Sequence, residues 1–439
     1  MATLFPPVRS SPRGLADRSA EAELREEIRR EVDRLLGERQ LLRPGPEEEQ
    51  RLRGLVKERV AAYQRRAAGT NAPLLLDAPG VERRICDALF GLGVLQILMD
   101  DPTVEEIAVT GPNRVFAYAN GHKRLMPDLC FEDDRELRDL VKRLIGPLGR
   151  RLDEASPMVD AQLPDGSRLN AVIPPASSRW TAVSIRKFIL RANTLDELVE
   201  LGALPEDAAQ LLDVAVQAGV NILASGPTGS GKTTLLNCLG SCIASPEEKV
   251  VTIEEVTELQ LDRFLPDCVA LQARSGNVEG SGEIRIRELV RNALRMRPTR
   301  ILIGEVRGGE ALDLLLAMNT GHDGCLTSIH GNSPRDALDR LCMLAMMAEE
   351  RLNSETVTKM VARTIELVIQ LRADPRTSRR RVVSIFEVTG LEGATITGNE
   401  LWALDPARDR LTWTGIQPRC LSKITARGLV YTAPMQRLA

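Results

Sequence analysis

The C-terminal half of the sequence predicts an α/β fold with a mostly parallel, doubly wound sheet. Short apolar runs that are typical of buried strands alternate there with segments of helical periodicity, as in strand–helix–strand units. A glycine-rich bend between the apolar run 220–224 and a helical pattern also indicates a tight strand-to-helix turn. The other strand-like runs span residues 249–253, 300–303, 324–329 and 365–371, and the helical segments between them span 286–296, 311–318 and 334–347.

Composition and periodicity divide the whole chain into six segments. The N-terminus is rich in proline and serine, which is typical of disorder. Apolar side chains at helical spacing follow, and then short strands and helices with an Asn120-Gly121 hairpin signal. Thr194 and Glu197 have the spacing of a capping box and mark a linker. The predicted segments are a disordered start (1–20), a helical extension (21–92), a small α/β domain with an antiparallel sheet (93–190), a linker (191–197), the parallel-sheet domain (198–378) and a small C-terminal appendage (379–439).

The composition is that of an ordinary globular protein. The 439 residues are enough for two to four domains, with 43% hydrophobic and 27% charged residues. The formal net charge of -3 gives no overall attraction to nucleic acid. No apolar run reaches the roughly 18 residues of a membrane span, and the first residues lack the apolar region of a secretory signal. We therefore expect a cytoplasmic protein whose eight cysteines are reduced.

The glycine-rich bend has the spacing of a P-loop. Glycines in such a bend let successive backbone N–H groups face phosphate oxygens, and the following helix adds the partial positive charge of its N-terminus. Lys232 would reach the β- and γ-phosphates, and the hydroxyl of Thr233 would bind Mg²⁺. A glycine-rich turn can match this pattern by chance, but the flanking strand and helix favour nucleoside triphosphate binding. The predicted nucleotide-binding residues are Gly226, Pro227, Thr228, Gly229, Ser230, Gly231, Lys232, Thr233 and Thr234.

Carboxylates follow two of the other predicted strands. Glu254 and Glu255 follow one strand and Glu305 follows the next. Because ligands in doubly wound sheets lie outside the carboxyl ends of the strands, these side chains can converge on the P-loop. Glu305 is our first choice for orienting the attacking water, and Glu254 or Glu255 would hold Mg²⁺ through its waters or share the base role. Alone, Glu254-Glu255 is better explained as a charged turn, but its position after a P-loop favours the functional interpretation, with Glu255 as the metal residue beside Thr233.

Histidines and arginines complete the candidate set. A lone histidine is more often structural, but His322 and His330 flank one predicted strand, and we interpret them as sensors of the γ-phosphate or of a neighbouring subunit. A triphosphate carries about four negative charges, more than one lysine and one Mg²⁺ neutralise, so arginines are expected as well. Closure of the small domain over the site would deliver two of them, although spacing alone fits a surface role equally well. The candidate arginines are Arg168 and Arg186 of the small domain, Arg274 and Arg307.

The order of these motifs resembles the secretion ATPases of type II and type IV systems. That order is the P-loop, the acidic pair, Gly304-Glu305-Val306-Arg307, and then Thr320-Gly321-His322-Asp323-Gly324 through His330. Closer matches resemble the CpaF-like branch, the motors of tight-adherence (Flp-type) pili. These matches lie at residues 153–160, 163–170, 185–188 and 291–298. The sequence lacks the four-cysteine zinc insert that is common in type II secretion motors, which favours the pilus branch.

The resemblance implies a cytoplasmic homohexamer at the inner face of the cell membrane. Each subunit would join a small, PAS-like N-terminal domain to a RecA-like ATPase domain, with ATP and Mg²⁺ between them and with Arg168 and Arg186 reaching the nucleotide. Hydrolysis would drive domain rotation against an inner-membrane platform protein and move pilin out of the membrane, without direct contact with nucleic acid. The sequence departs from the family pattern at Glu255, where Asp is usual, and at Cys325, where Ser is usual.

Two other functions stay open at the level of sequence. The same fold serves DNA-transfer motors of conjugation-type systems, although a nucleic-acid channel favours aromatic side chains, which are only 3% of this chain. The third candidate is a nucleotide-gated scaffold with little hydrolysis. Stimulation of turnover by single-stranded DNA would indicate the transfer motor, and absence of turnover in an assembled hexamer would indicate the scaffold.

Overall fold

The computed structural model describes residues 20–34 and 46–434, apart from residues 22, 33, 71, 120, 244, 275, 277–281 and 375–376. The chain forms two compact units, of which the first ends at Ile189 and the second begins at Leu190. This boundary lies beside the predicted end of the small α/β domain. The disorder predicted for residues 1–20 falls, except for Ala20, outside the described residues.

Three helices at the start of the first unit pack around an apolar core. The helical residues within 20–34 form α1, Pro46–Ala68 forms α2 and Ala78–Phe90 forms α3. Asp77 caps α3 because its carboxylate accepts a hydrogen bond from the backbone N–H of Gly80. The apolar side chains repeat at helical spacing and so face one another. Those buried in this core include Leu24, Ile28, Val32, Leu52, Val56, Val60, Ile85 and Leu89.

The rest of the first unit is built on a six-stranded antiparallel sheet. All neighbouring strands run antiparallel, so the sheet predicted for this segment is confirmed. α4 (Gln96–Asp100) precedes the sheet, and α5 (Asp134–Ile145) packs its buried side chains, among them Leu137 and Val141, into the core of the sheet. The PAS-like character expected for this domain stays a prediction. The strands are β1 (Val104–Thr110), β2 (Val115–Ala119), β3 (His122–Leu125), β4 (Met158–Gln162), β5 (Arg168–Val172) and β6 (Ala182–Arg186), in spatial order β3-β2-β1-β6-β5-β4.

The second unit is built on a nine-stranded mixed sheet. Six neighbouring strands in it run parallel, so the mostly parallel sheet predicted for the domain is confirmed. The strands are β7 (Ile222–Ser225), β8 (Val250–Glu254), β9 (Cys268–Gln272), β10 (Arg300–Ile303), β11 (Leu326–Ile329), β12 (Leu367–Ala373), β13 (Arg380–Glu392), β14 (Thr395–Asp405) and β15 (Arg410–Trp413). Their spatial order is β15-β14-β13-β12-β7-β11-β10-β8-β9, and the strands from β12 to β9 are the parallel ones.

Helices cover both faces of this sheet. Ile222 and Ala224 of β7 pack with the helices on one face, whereas Leu223 between them packs with the helices on the other face. A strand buried on both faces needs a continuous apolar run, which the sequence provides. Among the helices of the described residues, none is both long and apolar enough to cross a membrane. The helices are α6 (Leu195–Glu200), α7 (Glu206–Ala218), α8 (Lys232–Ser241), α9 (Ile286–Ala293), α10 (Glu310–Asn319), α11 (Pro334–Met346), α12 (Ser354–Thr364) and α13 (Leu421–Ala426).

The segment predicted as a C-terminal appendage is not separate from the parallel-sheet domain. β13 pairs antiparallel with β12, and β14 and β15 extend the same sheet. Trp402 of β14 is fully buried in the core that also holds α7 and α8. Gly390 lies within β13, and Gly393 lies in the turn from β13 to β14. The appendage is therefore the antiparallel side of one sheet.

Candidate nucleotide-binding site

The parallel strands of the second unit end next to one another at one edge of its sheet. β7, β11, β10 and β8 are consecutive neighbours, so the residues that follow their carboxyl ends lie side by side. The P-loop follows β7, His330 follows β11, and Glu305 lies two residues after β10. β8 itself ends at Glu254. Motifs that are far apart in the sequence are therefore neighbours in space.

The backbone of the P-loop requires glycine at two positions. Gly229 and Gly231 have φ angles of 73° and 98°, in the left-handed region that residues with a Cβ rarely adopt. α8 begins immediately after this turn, at Lys232. Lys232 is buried, and its ammonium donates hydrogen bonds to the backbone oxygens of Gly226 (3.1 Å) and Pro227 (3.3 Å). The lysine is thus held by the loop whose amides would surround a phosphate.

Lys232, Glu305 and His330 form a compact cluster beside the P-loop. Nζ of Lys232 lies 3.3 Å from Nδ1 of His330 and 4.0 Å from Oε1 of Glu305. Nε2 of His330 lies 2.8 Å from the same Glu305 oxygen. That oxygen is buried, and no donor in the described part of the chain is aligned to form a hydrogen bond with it. A desolvated carboxylate oxygen of this kind can accept a proton from a water molecule.

The surroundings of His330 favour the neutral imidazole. Burial lowers the pKa of the ring, and the nearby ammonium of Lys232 lowers this pKa further, against the opposite effect of the Glu305 carboxylate. A neutral imidazole has one acceptor nitrogen and one donor nitrogen. With Nδ1 as the acceptor, His330 can take a hydrogen bond from Lys232, and the ring proton is then on Nε2.

Arg307 joins the carboxylates that follow two adjacent strands. Its Nε and Nη2 lie 2.8 Å and 2.6 Å from Oε2 of Glu305, and its Nη1 lies 2.5 Å from Oε2 of Glu255. Burial alone would lower the pKa of Arg307, but the charges of Glu305 and Glu255 raise this pKa above its ordinary value. The guanidinium fixes Oε2 of Glu305, and the other carboxylate oxygen, Oε1, is the one that faces Lys232 and His330.

Glu254 supports the turn that follows β8. It is buried, and its carboxylate accepts hydrogen bonds from the backbone N–H groups of Glu258 (3.1 Å) and Leu259 (3.1 and 3.2 Å). Its side chain also passes so close to Gly304 that a Cβ added there would lie 2.9 Å from Cγ of Glu254. Glycine at position 304 is therefore required by this close approach.

Oxygen ligands suitable for Mg²⁺ lie at the start of α8. The hydroxyl of Thr233 donates a hydrogen bond of 3.0 Å to Oε2 of Glu258. Among the described residues, no group of three or more His, Cys, Asp or Glu side chains is arranged to hold a metal ion. This arrangement fits Mg²⁺, which keeps several waters and binds through one or two carboxylates together with substrate phosphates.

Two predicted site residues of the second unit lie away from this cluster. His322 precedes β11, at the opposite end of the strand from His330, and its Nδ1 lies 3.3 Å from the backbone oxygen of Ala317. Arg274 follows β9, where its Nε donates a hydrogen bond of 2.7 Å to the backbone oxygen of Gly282. β9 lies four strands from β7. At about 4.8 Å per strand this edge is about 19 Å from the P-loop strand.

Arg168 and Arg186 belong to the first unit. They lie opposite each other on β5 and β6. The end of β6 is well anchored, because Nζ of the next residue, Lys187, donates hydrogen bonds of 2.6 Å to the backbone oxygens of Met99 and Asp101. The role of the two arginines at the nucleotide stays a prediction.

Two residues that contact the P-loop or the first turn of α8 were not among the sequence candidates. One is Glu258, the partner of Thr233. The other is Arg380 of β13, whose Nε donates a hydrogen bond of 2.8 Å to the backbone oxygen of Gly229. The available signals were a third acidic residue after β8 and a run of three arginines at residues 379–381. Neither signal by itself indicates contact with the P-loop, because the folding of the turn after β8 and the pairing of β13 bring these side chains there.

The doubly wound sheet and the strand–loop–helix at its centre define a protein of the P-loop class. The chain belongs to the Type II/IV secretion system protein family, whose sequence profile matches residues 89–392. This match includes the P-loop, Glu305 and His330, together with the whole six-stranded sheet of the first unit. The match confirms the membership of the type II and type IV secretion family that the motif order predicts.

Curated relatives agree with this assignment. A putative conjugal transfer protein of Mycobacterium tuberculosis is 39% identical over 314 residues, which cover 70% of this chain and 86% of that protein. The type IV secretion system protein PtlH of Bordetella pertussis is 39% identical over 329 residues, which cover 69% of this chain and 95% of that protein. Among solved structures, the VirB11 ATPase of the Brucella suis type IV secretion system is 28% identical, covers 70% of this chain and 95% of that chain, and has a TM-score of 0.37.

Proposed function

We propose that this chain hydrolyses ATP with Mg²⁺ and that hydrolysis powers a secretion or pilus system. The observation that carries the proposal is the cluster of Lys232, Glu305 and His330, in which three separate segments of the chain meet. A buried ammonium for phosphate charge and a carboxylate oxygen that can take a proton are groups that phosphoanhydride hydrolysis uses. Membership of the secretion family supports the same function.

Each member of the cluster has a distinct role in this proposal. Lys232 exchanges the backbone oxygens of its own loop for the β- and γ-phosphate oxygens. Oε1 of Glu305 orients the attacking water and accepts its proton, while Arg307 holds the other carboxylate oxygen. His330 holds Lys232 and Glu305 at a fixed separation and senses the γ-phosphate that enters between them. Thr233 binds Mg²⁺, which when bound neutralises charge on the phosphates.

The system that the protein serves is proposed from the sequence resemblance. The matches at residues 153–160 and 291–298 favour a motor of tight-adherence pilus assembly. In this proposal six copies assemble at the inner face of the cell membrane and act on an inner-membrane platform protein. Arg168 and Arg186 then stabilise charge on the phosphates during hydrolysis.

A second candidate function is a motor for conjugation-type transfer. The observation that favours it is the name of the relative from Mycobacterium tuberculosis, a putative conjugal transfer protein. The low aromatic content argues against a channel that stacks the bases of single-stranded DNA, because such channels use aromatic side chains for that purpose. Pilus assembly is therefore the first candidate and conjugation-type transfer the second.

The test is a comparison of ATP turnover by the assembled full-length protein under three conditions. Phosphate release is measured for the protein alone, with single-stranded DNA, and with membranes from the source cell. The pilus proposal expects turnover that membranes stimulate and DNA does not. Stimulation by DNA would replace it with the transfer motor, and no turnover under any condition would contradict hydrolysis and favour a scaffold.

A pull-down from membranes with the Glu305→Gln protein then identifies what the ATP-bound state holds. An integral membrane protein bound with ATP and released with ADP is expected for a platform-coupled motor. Equal binding of the membrane protein with ATP and with ADP would contradict coupling between hydrolysis and the membrane partner.

A further inference from the structure

The hydroxyl that a P-loop uses for Mg²⁺ is paired with a carboxylate in this chain. Oγ1 of Thr233 donates a hydrogen bond of 3.0 Å to Oε2 of Glu258. In P-loop proteins this hydroxyl holds the metal together with one acidic side chain. The acidic side chain in contact with the hydroxyl is therefore the first place to look for the metal-binding carboxylate.

The two glutamates that the sequence favoured for this role are committed to other partners. The carboxylate of Glu254 accepts backbone N–H groups of the following turn, with both of its oxygens in use. The carboxylate of Glu255 pairs with Arg307, and its side chain is 48% exposed. A metal ligand at either position would have to give up these contacts, whereas Glu258 already touches the P-loop hydroxyl.

The backbone around Glu258 is held from two sides. Asn237 of α8, which is buried, donates from Nδ2 to the backbone oxygen of Glu258 (3.3 Å) and accepts at Oδ1 from the backbone N–H of Gln260 (3.0 Å). On the other side the backbone N–H of Glu258 is bound by the Glu254 carboxylate. Supporting hydrogen bonds of this kind orient a metal ligand and raise its effectiveness. The helix that carries Thr233 thus also positions Glu258.

We propose that Glu258, rather than Glu254 or Glu255, holds Mg²⁺ together with Thr233. The inference rests on the proposed function, because the ion accompanies the bound nucleotide. A carboxylate and a hydroxyl supply hard oxygen ligands, and the remaining positions of Mg²⁺ belong to waters and phosphate oxygens. Glu254 is then a positioning residue for the turn, and Glu255 a partner of Arg307.

The test measures how much Mg²⁺ contributes to nucleotide binding, not activity. Full-length wild type, Glu258→Gln, Glu258→Asp and Glu255→Gln are titrated with a fluorescent non-hydrolysable ATP analogue, once with excess Mg²⁺ and once with EDTA. The ratio of the two Kd values isolates the metal contribution, and the Kd in EDTA shows that the P-loop is intact. Electron paramagnetic resonance of Mn²⁺ bound to each protein–analogue complex gives a second measure of metal affinity.

We expect Mg²⁺ to tighten binding equally in wild type and Glu255→Gln. In Glu258→Gln the effect of Mg²⁺ on the Kd and the affinity for Mn²⁺ should each be about 10- to 100-fold smaller, with an unchanged Kd in EDTA. Glu258→Asp should show smaller losses of both. A full Mg²⁺ effect in Glu258→Gln, or its loss in Glu255→Gln, overturns the inference. If Glu258→Gln does not fold, a wild-type Mn²⁺ affinity in Glu258→Asp overturns it instead. Failure of wild type to bind the analogue in either buffer would contradict the proposed function, which separates the two failures.

Discussion

Oε1 of Glu305 lies 2.8 Å from Nε2 of His330, and both groups lie within 4.0 Å of the P-loop ammonium of Lys232. These residues come from the ends of two adjacent strands and from the P-loop between β7 and α8. The contact places a buried carboxylate oxygen and an imidazole ring beside the lysine of the P-loop. The charges of Lys232 and Glu305 therefore influence the pKa of the His330 ring.

Replacement of His330 by Gln is expected to weaken the dependence of stability on acid pH. The pKa of His330 in the folded protein lies below the ordinary value of about 6.5, so the unfolded chain binds more protons just below that pH. Stability of the wild type therefore falls as the pH drops below about 6.5, and the loss is complete once the pH passes the folded pKa. Glutamine does not titrate. The thermal unfolding midpoint of the variant should fall less than that of wild type between neutral and mildly acid buffer, and equal falls would contradict the assignment.

Removal of the Arg307 side chain is expected to lower turnover without abolishing nucleotide binding. Arg307→Ala frees Oε2 of Glu305, and a displacement of about 1 Å of a catalytic group costs up to roughly 100-fold in rate. The measurement is kcat together with the Kd of a non-hydrolysable ATP analogue. Arg408→Ala is the matched control, because Arg408 is exposed and pairs only with Asp405 in the ion pairs of the described chain. An unchanged kcat in Arg307→Ala would contradict a role for Arg307 in positioning the carboxylate of Glu305.

A methyl group added at Gly304 is expected to destabilise the second unit. Gly304→Ala would bring its Cβ to 2.9 Å from Cγ of Glu254, whose carboxylate is fixed by backbone N–H groups. Overpacking of this kind costs about 1–3 kcal/mol. Gly54→Ala is the control, because the space around a Cβ in the exposed part of α2 is empty and the change should stabilise that helix by about 1 kcal/mol. Chemical denaturation measures the free energy of unfolding of both variants. Equal changes in Gly304→Ala and Gly54→Ala would contradict the close contact between position 304 and Glu254.

Loss of the Glu248 carboxylate is expected to destabilise the amino edge of the sheet. Glu248 accepts hydrogen bonds from Nε (3.2 Å) and Nη2 (2.8 Å) of Arg300, whose side chain is only 3% exposed. Glu248→Ala leaves the buried guanidinium without its carboxylate partner, which should lower the free energy of unfolding by about 1–3 kcal/mol at neutral pH.

The same pair predicts a pH dependence with a definite sign. Burial raises the pKa of Glu248, but the hydrogen bond and charge of Arg300 lower it, and the net shift is downward. A depressed pKa contributes stability above the unfolded value of about 4.3, and this stability is lost as the pH falls through the folded pKa. The difference in unfolding free energy between wild type and Glu248→Ala should therefore be constant from neutral pH to about pH 5 and shrink below it. A difference that grows with acid would contradict the ion pair.

The part of the site that could be predicted from sequence is the part set by strand order. Glu305 and His330 each follow an apolar strand, and parallel strands bring such positions to one edge. Glycines with positive φ in the P-loop follow from the motif itself, because no other residue adopts that turn readily. These features can be predicted from local sequence patterns and from the general rule that ligands bind at the carboxyl ends of the strands in a doubly wound sheet.

The remaining features depend on contacts between distant segments, which a single sequence does not specify. β13 carries apolar residues on both faces, but only its pairing with β12 shows that it belongs to the central sheet. His322 and His330 flank the same strand, β11. They therefore lie at opposite ends of that strand, and only His330 is at the end where the P-loop lies. Glu258 was missed because its carboxylate is brought to Thr233 by a turn whose shape depends on Glu254 and Asn237.

The most direct test of the account is a single-turnover measurement on Glu305→Gln beside Lys232→Ala. The protein is mixed with a limiting amount of radiolabelled ATP and Mg²⁺, and bound ATP and released phosphate are measured in the same samples. We predict that Glu305→Gln binds ATP as wild type does and releases phosphate at least about 100-fold more slowly, whereas Lys232→Ala loses binding. Wild-type phosphate release by Glu305→Gln would contradict the assignment of Glu305 as the residue that activates water.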